Sequence, residues 1–271
     1  MRSRGPKALG VAAGLVFLLF PFLWMTVASF TPERQLLGAE FFRPRGFVLE
    51  HYRALFAERG FGRAIRNSLI VAGTTTLFCV VLGSLCAYAL ARFRFRGRSL
   101  VLGFVLAATM FPQISIVSPL YLLLRALGLV DTYPGLVLPY LTFAMPLTVW
   151  LLVGFFRELP PELEEAALVD GAGRLRALAE VVFPISLPAV AATSILTFLY
   201  CWNEFLFALS FTLGPERQTV PVAVALFRGQ YRVPWGQILA ASVVTTLPVV
   251  ALVLAFQRRI VRGLVSGALK G

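Results

Sequence analysis

Six long apolar stretches constrain this chain more than any other feature of its sequence. An α-helix needs about 20 residues to cross the hydrocarbon core of a bilayer, at a rise of about 1.5 Å per residue. A charge at mid-membrane costs about 3 kcal/mol on insertion scales, and among these stretches only the fifth contains a charged residue, Glu204. We therefore predict an all-α polytopic membrane protein with six transmembrane helices at residues 8–30, 68–91, 100–124, 133–156, 184–213 and 233–256.

The composition supports a membrane location, since 58% of the residues are hydrophobic and 14% are charged. Arg2, Arg4 and Lys7 precede the first apolar stretch, an arrangement that signal peptides and membrane anchors share. The stretch is longer than the usual core of a signal peptide, so we interpret it as an uncleaved anchor. Because no repeat or long linker divides the sequence, we predict a single transmembrane domain over residues 1–271.

Basic residues predict the orientation of the chain in the membrane. Arg92, Arg94, Arg96 and Arg98 lie close together between the second and third stretches, and cytoplasmic loops are rich in Lys and Arg. With six crossings, both termini then lie in the cytoplasm. A basic rim against anionic lipid headgroups explains the net charge of +12, so no nucleic acid is expected as a partner.

A charged segment at residues 157–183, here called loop 157–183, separates the fourth and fifth stretches. The proline pair at 160–161 can open a helix, and the acidic residues that follow favour its first turn. Asp170 with Gly171 is typical of a turn, and a second short helix is predicted from 172 to 182. Such a loop can be an ordinary solvated helix. We interpret it as a compact cytoplasmic protrusion that fits a cleft on a soluble partner.

The order of residues in this loop resembles the EAA signature of permeases from binding-protein-dependent ABC importers. Its Glu-Ala-Ala sequence at 165–167 is followed by Gly171 and, at the family's spacing, by Val181 and Phe183 before a proline. The family usually has isoleucine and leucine at the positions of Val181 and Phe183, and both substitutions stay apolar. The resemblance continues through NSLIVAGTTT, AYALARFRFRGR, GLVDTYPGLVLPY, WNEFLFALS and the C-terminal QRRIVRGLVSGALKG.

Within this family, TMFPQISIVSP and LPYLTFAMPL are similar to the smaller permease subunit of carbohydrate importers of the trehalose/maltose type. The resemblance implies a type I ABC importer permease fold with a cytoplasmic coupling helix, in a prokaryotic plasma (inner) membrane. It implies four partners: a second homologous permease, two cytoplasmic ATPase subunits and an extracytoplasmic sugar-binding protein. ATP and Mg would bind to the ATPases, and this chain would bind no cofactor itself.

By the same resemblance, ATP-driven closure of the ATPases would move loop 157–183 and, through it, spans three to five. Glu165 is expected to fix the first short helix by a charge-assisted hydrogen bond, and Asp170 to cap or set the turn. The residues implied in ATPase coupling are Glu164, Glu165, Ala166, Ala167, Asp170, Gly171, Ala172 and Arg174. Gly267 and Lys270 are implied in a tail that contacts the ATPase.

Polar residues inside or beside the apolar stretches mark a candidate substrate path. Met110 and Gln113 flank a proline in the third stretch, which is either an ordinary kink or part of a lined path. Asn203 and Glu204 lie late in the fifth stretch, where Glu204 either contacts sugar or is a helix-packing carboxylate paired with another subunit. Tyr231, in the outer loop 214–235, either stacks on sugar or anchors a helix at the membrane interface.

The sequence contains no GxxxxGK[ST] phosphate loop and no nucleophile with a nearby base, so we predict that the chain is not an enzyme. Cys79, Cys86 and Cys201 lie in apolar stretches without a nearby histidine, so no metal site is predicted. Energy must therefore come from a partner or from an ion gradient. The alternative to an ATP-driven importer is an ion-coupled secondary sugar transporter or a channel subunit, with Glu204 as its coupling carboxylate.

Overall fold

The protein is helical throughout the computed structural model, which describes residues 4–38, 46–227 and 233–268. Within these ranges, α-helices are joined by turns, with a 3₁₀ turn at Gln113–Ile116 and a π-helical turn at Leu178–Val182. The α-helices are α1 (Arg4–Ser29), α2 (Glu33–Leu36), α3 (Glu50–Ala57), α4 (Phe61–Arg92), α5 (Arg98–Met110), α6 (Val117–Ala126), α7 (Tyr133–Glu158), α8 (Pro161–Val169), α9 (Arg174–Ala177), α10 (Phe183–Ile185), α11 (Leu187–Trp202), α12 (Leu206–Phe211), α13 (Val220–Ala225) and α14 (Trp235–Ala268).

Four helices of the described chain are long and apolar enough to cross a membrane: α4, α7, and the parts of α1 and α14 at Leu9–Ser29 and Trp235–Gln257. Two further pairs reach this length only across a bend. The segment Arg98–Met110 pairs with Gln113–Ala126 at 91°, and Arg174–Ile185 pairs with Leu187–Trp202 at 82°. If each bent pair is one span, the described chain has six spans, and the predicted all-α polytopic class is confirmed.

The third span, predicted as a helix over residues 100–124, is broken in the structure. α5 ends at Met110, and Phe111 takes extended backbone angles (φ −71°, ψ 129°) immediately before Pro112. The proline ring disfavours helical angles in the residue before it, and its nitrogen has no hydrogen to donate. The chain resumes in the 3₁₀ turn and α6, which run at 91° to α5.

The fifth predicted span, residues 184–213, is also interrupted. α11 ends at Trp202, and α12 does not begin until Leu206. Pro188 lies in the first turn of α11, where a missing N–H removes no intrahelical hydrogen bond. The helix break at residues 203–205 contains no proline, whereas the 82° bend near the start of the predicted span falls at Ser186, between Pro184 and Pro188.

α7 is the central helix of the bundle that carries loop 157–183. Its buried side chains include Val149, Leu152 and Phe156, which pack against Ala87 and Leu90 of α4 and against the π-helical turn. The Thr148 hydroxyl lies 2.8 Å from the hydroxyl of Thr197 on α11. These contacts hold α4, α7 and α11 together beside the loop.

The internal contacts of the chain define two compact units, Met1–Arg63 with Ala223–Pro248, and Ala64–Val222 with Val249–Gly271. Within the first unit, the Glu33 carboxylate accepts hydrogen bonds from the backbone N–H groups of Trp235 and Gly236, each at 2.9 Å. The buried His51 ring lies so close to Gly236 that any side chain there would collide with it. The second unit contains loop 157–183. The predicted single domain stays a prediction.

Candidate functional site

Loop 157–183 folds as a helix, a turn and a second helical segment. α8 begins at Pro161, in the position where proline is best tolerated, and ends at Val169. The chain then reverses through two hydrogen bonds, from Gly171 N to Leu168 O at 3.1 Å and from Ala172 N to Ala167 O at 2.9 Å. The second segment is not the single helix predicted over 172–182. It consists of α9, the π-helical turn and α10.

Gly171 makes this turn possible through its backbone conformation. Its φ of +87° lies in the left-handed region, where residues with a Cβ are strained. A Cβ placed there would meet no atom of this chain within 4 Å. Glycine is therefore required at this position by the backbone angle and not by a lack of space.

A buried carboxylate, that of Glu164, ties α8 to the end of α4. Its Oε1 accepts hydrogen bonds from Tyr88 Oη at 2.6 Å and from Arg174 Nη1 at 2.8 Å. Its Oε2 lies 3.1 Å from Arg92 Nε, as an ion pair without a well-aligned hydrogen bond. Arg92 Nη2 also donates to Leu159 O, just after α7, at 3.1 Å. The loop is thus fixed to α4 at two points.

Burial separates the predicted coupling residues into an inner and an outer group. The Glu164 side chain is only 4% exposed, whereas that of Arg174 is 55% exposed. Glu165, predicted to fix α8 by a charge-assisted hydrogen bond, is exposed, whereas the neighbouring Glu164 accepts such bonds from Tyr88 and Arg174. The role of Glu165 stays a prediction. Asp170 is the C-cap residue of α8, with its backbone N–H bonded to Ala166 O. The exposed members are Glu165, Ala166, Asp170, Gly171 and Arg174, and the half-buried ones are Ala167 and Ala172.

Tyr88 and Arg92 are part of this site, although the sequence analysis missed them. They lie four residues apart at the end of α4 and therefore share one face of that helix. The sequence signal for them is a tyrosine and an arginine at this spacing, where an apolar span meets the arginine cluster at 92–98. The arginine cluster predicts orientation and does not by itself mark a contact with the loop.

A cavity of about 690 Å³ opens between α7, α11 and the break before α12. It brings together three of the predicted path residues, Gln113, Asn203 and Glu204, and adds Tyr200, whose hydroxyl accepts a 2.5 Å hydrogen bond from Gln113 Nε2. The remaining lining is mainly apolar, from Leu147, Leu151, Leu196, Leu199, Phe205 and Leu206. Met110 does not line this cavity, and its side chain is exposed.

Glu204 caps α12. Its two carboxylate oxygens accept hydrogen bonds from the backbone N–H groups of Phe207 at 2.8 Å and Ala208 at 3.1 Å. These N–H groups belong to the first turn of a helix and have no partner within it. The carboxylate therefore stabilises the restart of the helix inside its own chain, which differs from the predicted pairing with another subunit.

For three of the predicted site residues the structure describes no side chain. Tyr231 and Lys270 lie outside the described residues. Gly267 lies at the end of α14, where only the backbone is described. Within the described ranges, no group of three His, Cys, Asp or Glu side chains could hold a metal ion.

A bundle of straight and broken apolar helices, with a helix-turn-helix loop carrying the EAA order of residues, defines a permease subunit of a solute importer. Residues 79–266 match the family described as binding-protein-dependent transport system inner membrane component. The chain belongs to this family, and it is a permease subunit of an ABC importer.

Related proteins support this assignment along almost the whole chain. The trehalose/maltose transport system permease protein MalG of Thermococcus litoralis is 42% identical over 97% of this chain and 95% of its own length. The trehalose transport system permease protein SugB of Mycobacterium tuberculosis is 44% identical over 94% of this chain and 93% of its own.

The fold also matches solved importers. A chain from the crystal structure of a bacterial ABC transporter that imports the acidic polysaccharide alginate aligns with a TM-score of 0.78, at 21% identity. The alignment covers 96% of this chain and 99% of that chain. The predicted type I ABC importer permease fold is confirmed.

Proposed function

We propose that this permease forms half of the translocation path for a di- or oligosaccharide of the trehalose or maltose kind. The observation that carries this proposal is the 42% and 44% identity, over nearly the full chain, to permeases named for trehalose and maltose transport. A cavity of about 690 Å³ is large enough for a disaccharide.

The proposed complex contains a second homologous permease, two cytoplasmic ATPases that use ATP with Mg, and an extracytoplasmic sugar-binding protein. One solved importer with a TM-score of 0.67 is a complex with a periplasmic protein that holds an alginate pentasaccharide, which supports a partner of this kind. ATP hydrolysis is assigned to the ATPases, and none to this chain. The proposed location is the prokaryotic inner membrane, with both termini in the cytoplasm.

The outer surface of loop 157–183 is the proposed ATPase contact. Val169 is 87% exposed and Leu175 is 70% exposed, one on either side of the Gly171 turn. Two exposed apolar side chains on a thin and internally bonded loop suit insertion into a cleft, where their burial would stabilise docking. Gly267 and Lys270, in the C-terminal tail, are proposed as a second contact with the ATPase.

The cavity between α7 and α11 is the proposed sugar path of this subunit. Gln113, Tyr200 and Asn203 offer amide and hydroxyl groups, which exchange hydrogen bonds with sugar hydroxyls. The apolar residues around them suit the nonpolar faces of a sugar ring. Glu204 belongs to the path because its carboxylate caps α12, which borders the cavity. Met110 stays a proposed contact outside this cavity, and Tyr231, which is not among the described residues, stays a proposed contact.

ATP is proposed as the energy source because Glu204, the one acidic residue within the predicted spans, is occupied with backbone N–H groups of its own chain. An ion-coupled carrier needs a carboxylate that exchanges protons or ions during each cycle. We expect sugar uptake by the complete complex to continue when the proton gradient is collapsed and to stop when ATP is depleted. Uptake that follows the proton gradient and ignores ATP would establish the ion-coupled alternative.

The substrate is tested by reconstituting the purified complex in liposomes and measuring ATP hydrolysis with a panel of sugars and the sugar-binding protein. We expect trehalose or maltose to stimulate hydrolysis, whereas monosaccharides and amino acids should have no effect. Stimulation by an amino acid, and by no sugar, would overturn the substrate class. A Gln113→Ala variant should lower transport at subsaturating sugar. Thr76→Val serves as the control outside the cavity, since the Thr76 hydroxyl bonds to Ala72 O within α4.

A further inference from the structure

α4 is a continuous helix whose two ends are bonded to two different loops. It runs unbroken from Phe61 to Arg92, over 32 residues, and contains no proline. At about 1.5 Å per residue it is ~48 Å long, more than the thickness of a bilayer core. A helix of this kind resists stretching, because each turn is closed by backbone hydrogen bonds.

One end of α4 is fixed to loop 157–183. Tyr88 and Arg92 contact the buried Glu164 carboxylate, and Arg92 also holds Leu159 O. The Arg92 side chain is 10% exposed, so little water is available to replace these contacts if they are broken. Loss of one partner would leave a buried charge uncompensated.

The opposite end of α4 is fixed to the segment that follows α12. The fully buried Asn67 donates from Nδ2 to Glu216 O and to Gln218 O, each at 2.9 Å. Its Oδ1 accepts a 2.8 Å hydrogen bond from the hydroxyl of Tyr133. The adjacent Ser68 Oγ accepts a hydrogen bond from Val220 N at 2.8 Å. Both donors of the Asn67 amide are thus committed to this segment, which is called segment 216–220 below.

The two attachments lie at opposite ends of the bundle. α7 begins at Tyr133, beside Asn67, and ends at Glu158, within the first residues of loop 157–183. Segment 216–220 therefore lies at the face remote from the loop. If ATPases dock on the loop, segment 216–220 is on the side where a sugar-binding protein arrives.

We propose that α4 is a rigid connection that transmits binding of the sugar-binding protein at segment 216–220 to the ATPase contact at loop 157–183. This proposal rests on the proposed function. The sequence predicted transmission only through spans three to five, which are covalently joined to or near the loop. The structure adds the second span, through buried bonds at both of its ends. Displacement of one loop without the other would break several of these bonds.

The test uses the reconstituted complex and separates basal ATP hydrolysis from hydrolysis stimulated by the sugar-loaded binding protein. Arg92→Gln and Asn67→Ala each release one end of α4. Each variant should lower the stimulation about tenfold, equivalent to about 1.4 kcal/mol of coupling. Asn67 is remote from loop 157–183, so Asn67→Ala should retain basal hydrolysis and co-purification of the ATPases. Because Arg92 belongs to the loop site, the stimulation of Arg92→Gln is measured relative to its own basal rate, on complexes that keep the ATPases.

The double variant Arg92→Gln/Asn67→Ala distinguishes one connection from two independent effects. If the ends act in series through α4, the double variant should lose no more than about tenfold, like each single variant. Independent sites multiply their effects, and a loss of about a hundredfold would overturn the proposal. Thr76→Val is the matched control, since that hydroxyl bonds only to Ala72 O within α4, and it should leave stimulation unchanged.

If complexes with Arg92→Gln or Asn67→Ala do not assemble, two milder variants test the same proposal. Tyr88→Phe removes one donor to Glu164, and Ser68→Ala removes the acceptor for Val220 N. Unchanged stimulation in both, with a thermal midpoint like that of the wild type, would overturn the role of α4. A wild-type complex that no sugar-loaded binding protein stimulates would instead overturn the proposed function, so the two failures are distinguishable.

Discussion

Replacement of Gly171 by alanine isolates the backbone requirement of the turn in loop 157–183. Gly171 has a φ of +87°, and open space surrounds the position that a Cβ would take. Alanine therefore brings no collision within the chain and adds only the strain of a left-handed backbone. Gly173, two residues later, has an ordinary φ of −70° and equally open space, so Gly173→Ala is its matched control.

The strain at Gly171 gives the size of the expected effect. A residue with a Cβ is less stable in the left-handed region by about 1 to 2 kcal/mol. If docking requires the observed turn, the whole of that energy opposes docking, and the affinity for the ATPase should fall by about 5- to 30-fold. Gly171→Asn should lose less, because asparagine tolerates this region better than alanine does.

Gly171→Asp adds charge at the same place. Asparagine and aspartate have nearly the same shape, so the difference between these two variants measures the effect of the charge alone. Because the side chain points into open space in the isolated subunit, an additional loss with aspartate can arise only where a partner covers the turn. We expect Gly171→Asp to abolish transport while membrane insertion stays intact.

The assay is the affinity of the purified ATPase for the permease complex in detergent, together with co-purification from membranes. The expected order of affinity is wild type and Gly173→Ala, then Gly171→Asn, then Gly171→Ala, with Gly171→Asp weakest. Equal affinity for Gly171→Ala and Gly173→Ala would show that the left-handed turn is not needed for docking. Normal co-purification of Gly171→Asp would refute the docking surface itself.

Three further predictions concern buried contacts and use the thermal midpoint of the purified complex. Glu164→Ala should destabilise the subunit by about 3 kcal/mol, because it leaves buried arginine charge unpaired. Glu165→Ala should leave the midpoint unchanged and weaken only ATPase binding. Equal midpoints for the two variants would contradict the assignment of Glu164 as the buried partner of Arg92. Glu204→Ala should lower the free energy of unfolding by about 2 kcal/mol, because two N–H groups of α12 lose their cap. Glu204→Gln keeps one acceptor and should lose less stability. An unchanged midpoint for Glu204→Ala would exclude the cap. Gly236→Ala should destabilise the subunit by about 1 to 3 kcal/mol, because the added methyl group collides with His51. Adding His51→Ala should relieve this effect. Destabilisation that persists in the double variant would disprove the collision as its cause.

The spans were predictable because the cost of burying charge in a bilayer keeps Asp, Glu, Lys and Arg out of them, with Glu204 as the single exception. The breaks were not predictable from the same signal. Pro139 and Pro146 remain inside α7, whereas the chain leaves the helix at Pro112. All three prolines lack the N–H group, so the difference lies in the surroundings. α7 is the most buried of the four straight candidate spans, and α4, α5 and α11 pack against it.

Loop 157–183 shows why a motif predicts a region better than it predicts roles. Glu164 and Glu165 are adjacent and identical in chemistry, and successive residues on a helix point about 100° apart. One therefore faces α4 and is buried, while the other faces outward. Which of the two is buried depends on the position of Arg92, more than seventy residues earlier in the chain, and no local pattern contains that information. Because α4 is far from the loop in sequence, the contact between α8 and the end of α4 lets this helix follow a movement of the loop that the chain connection alone would not transmit to it.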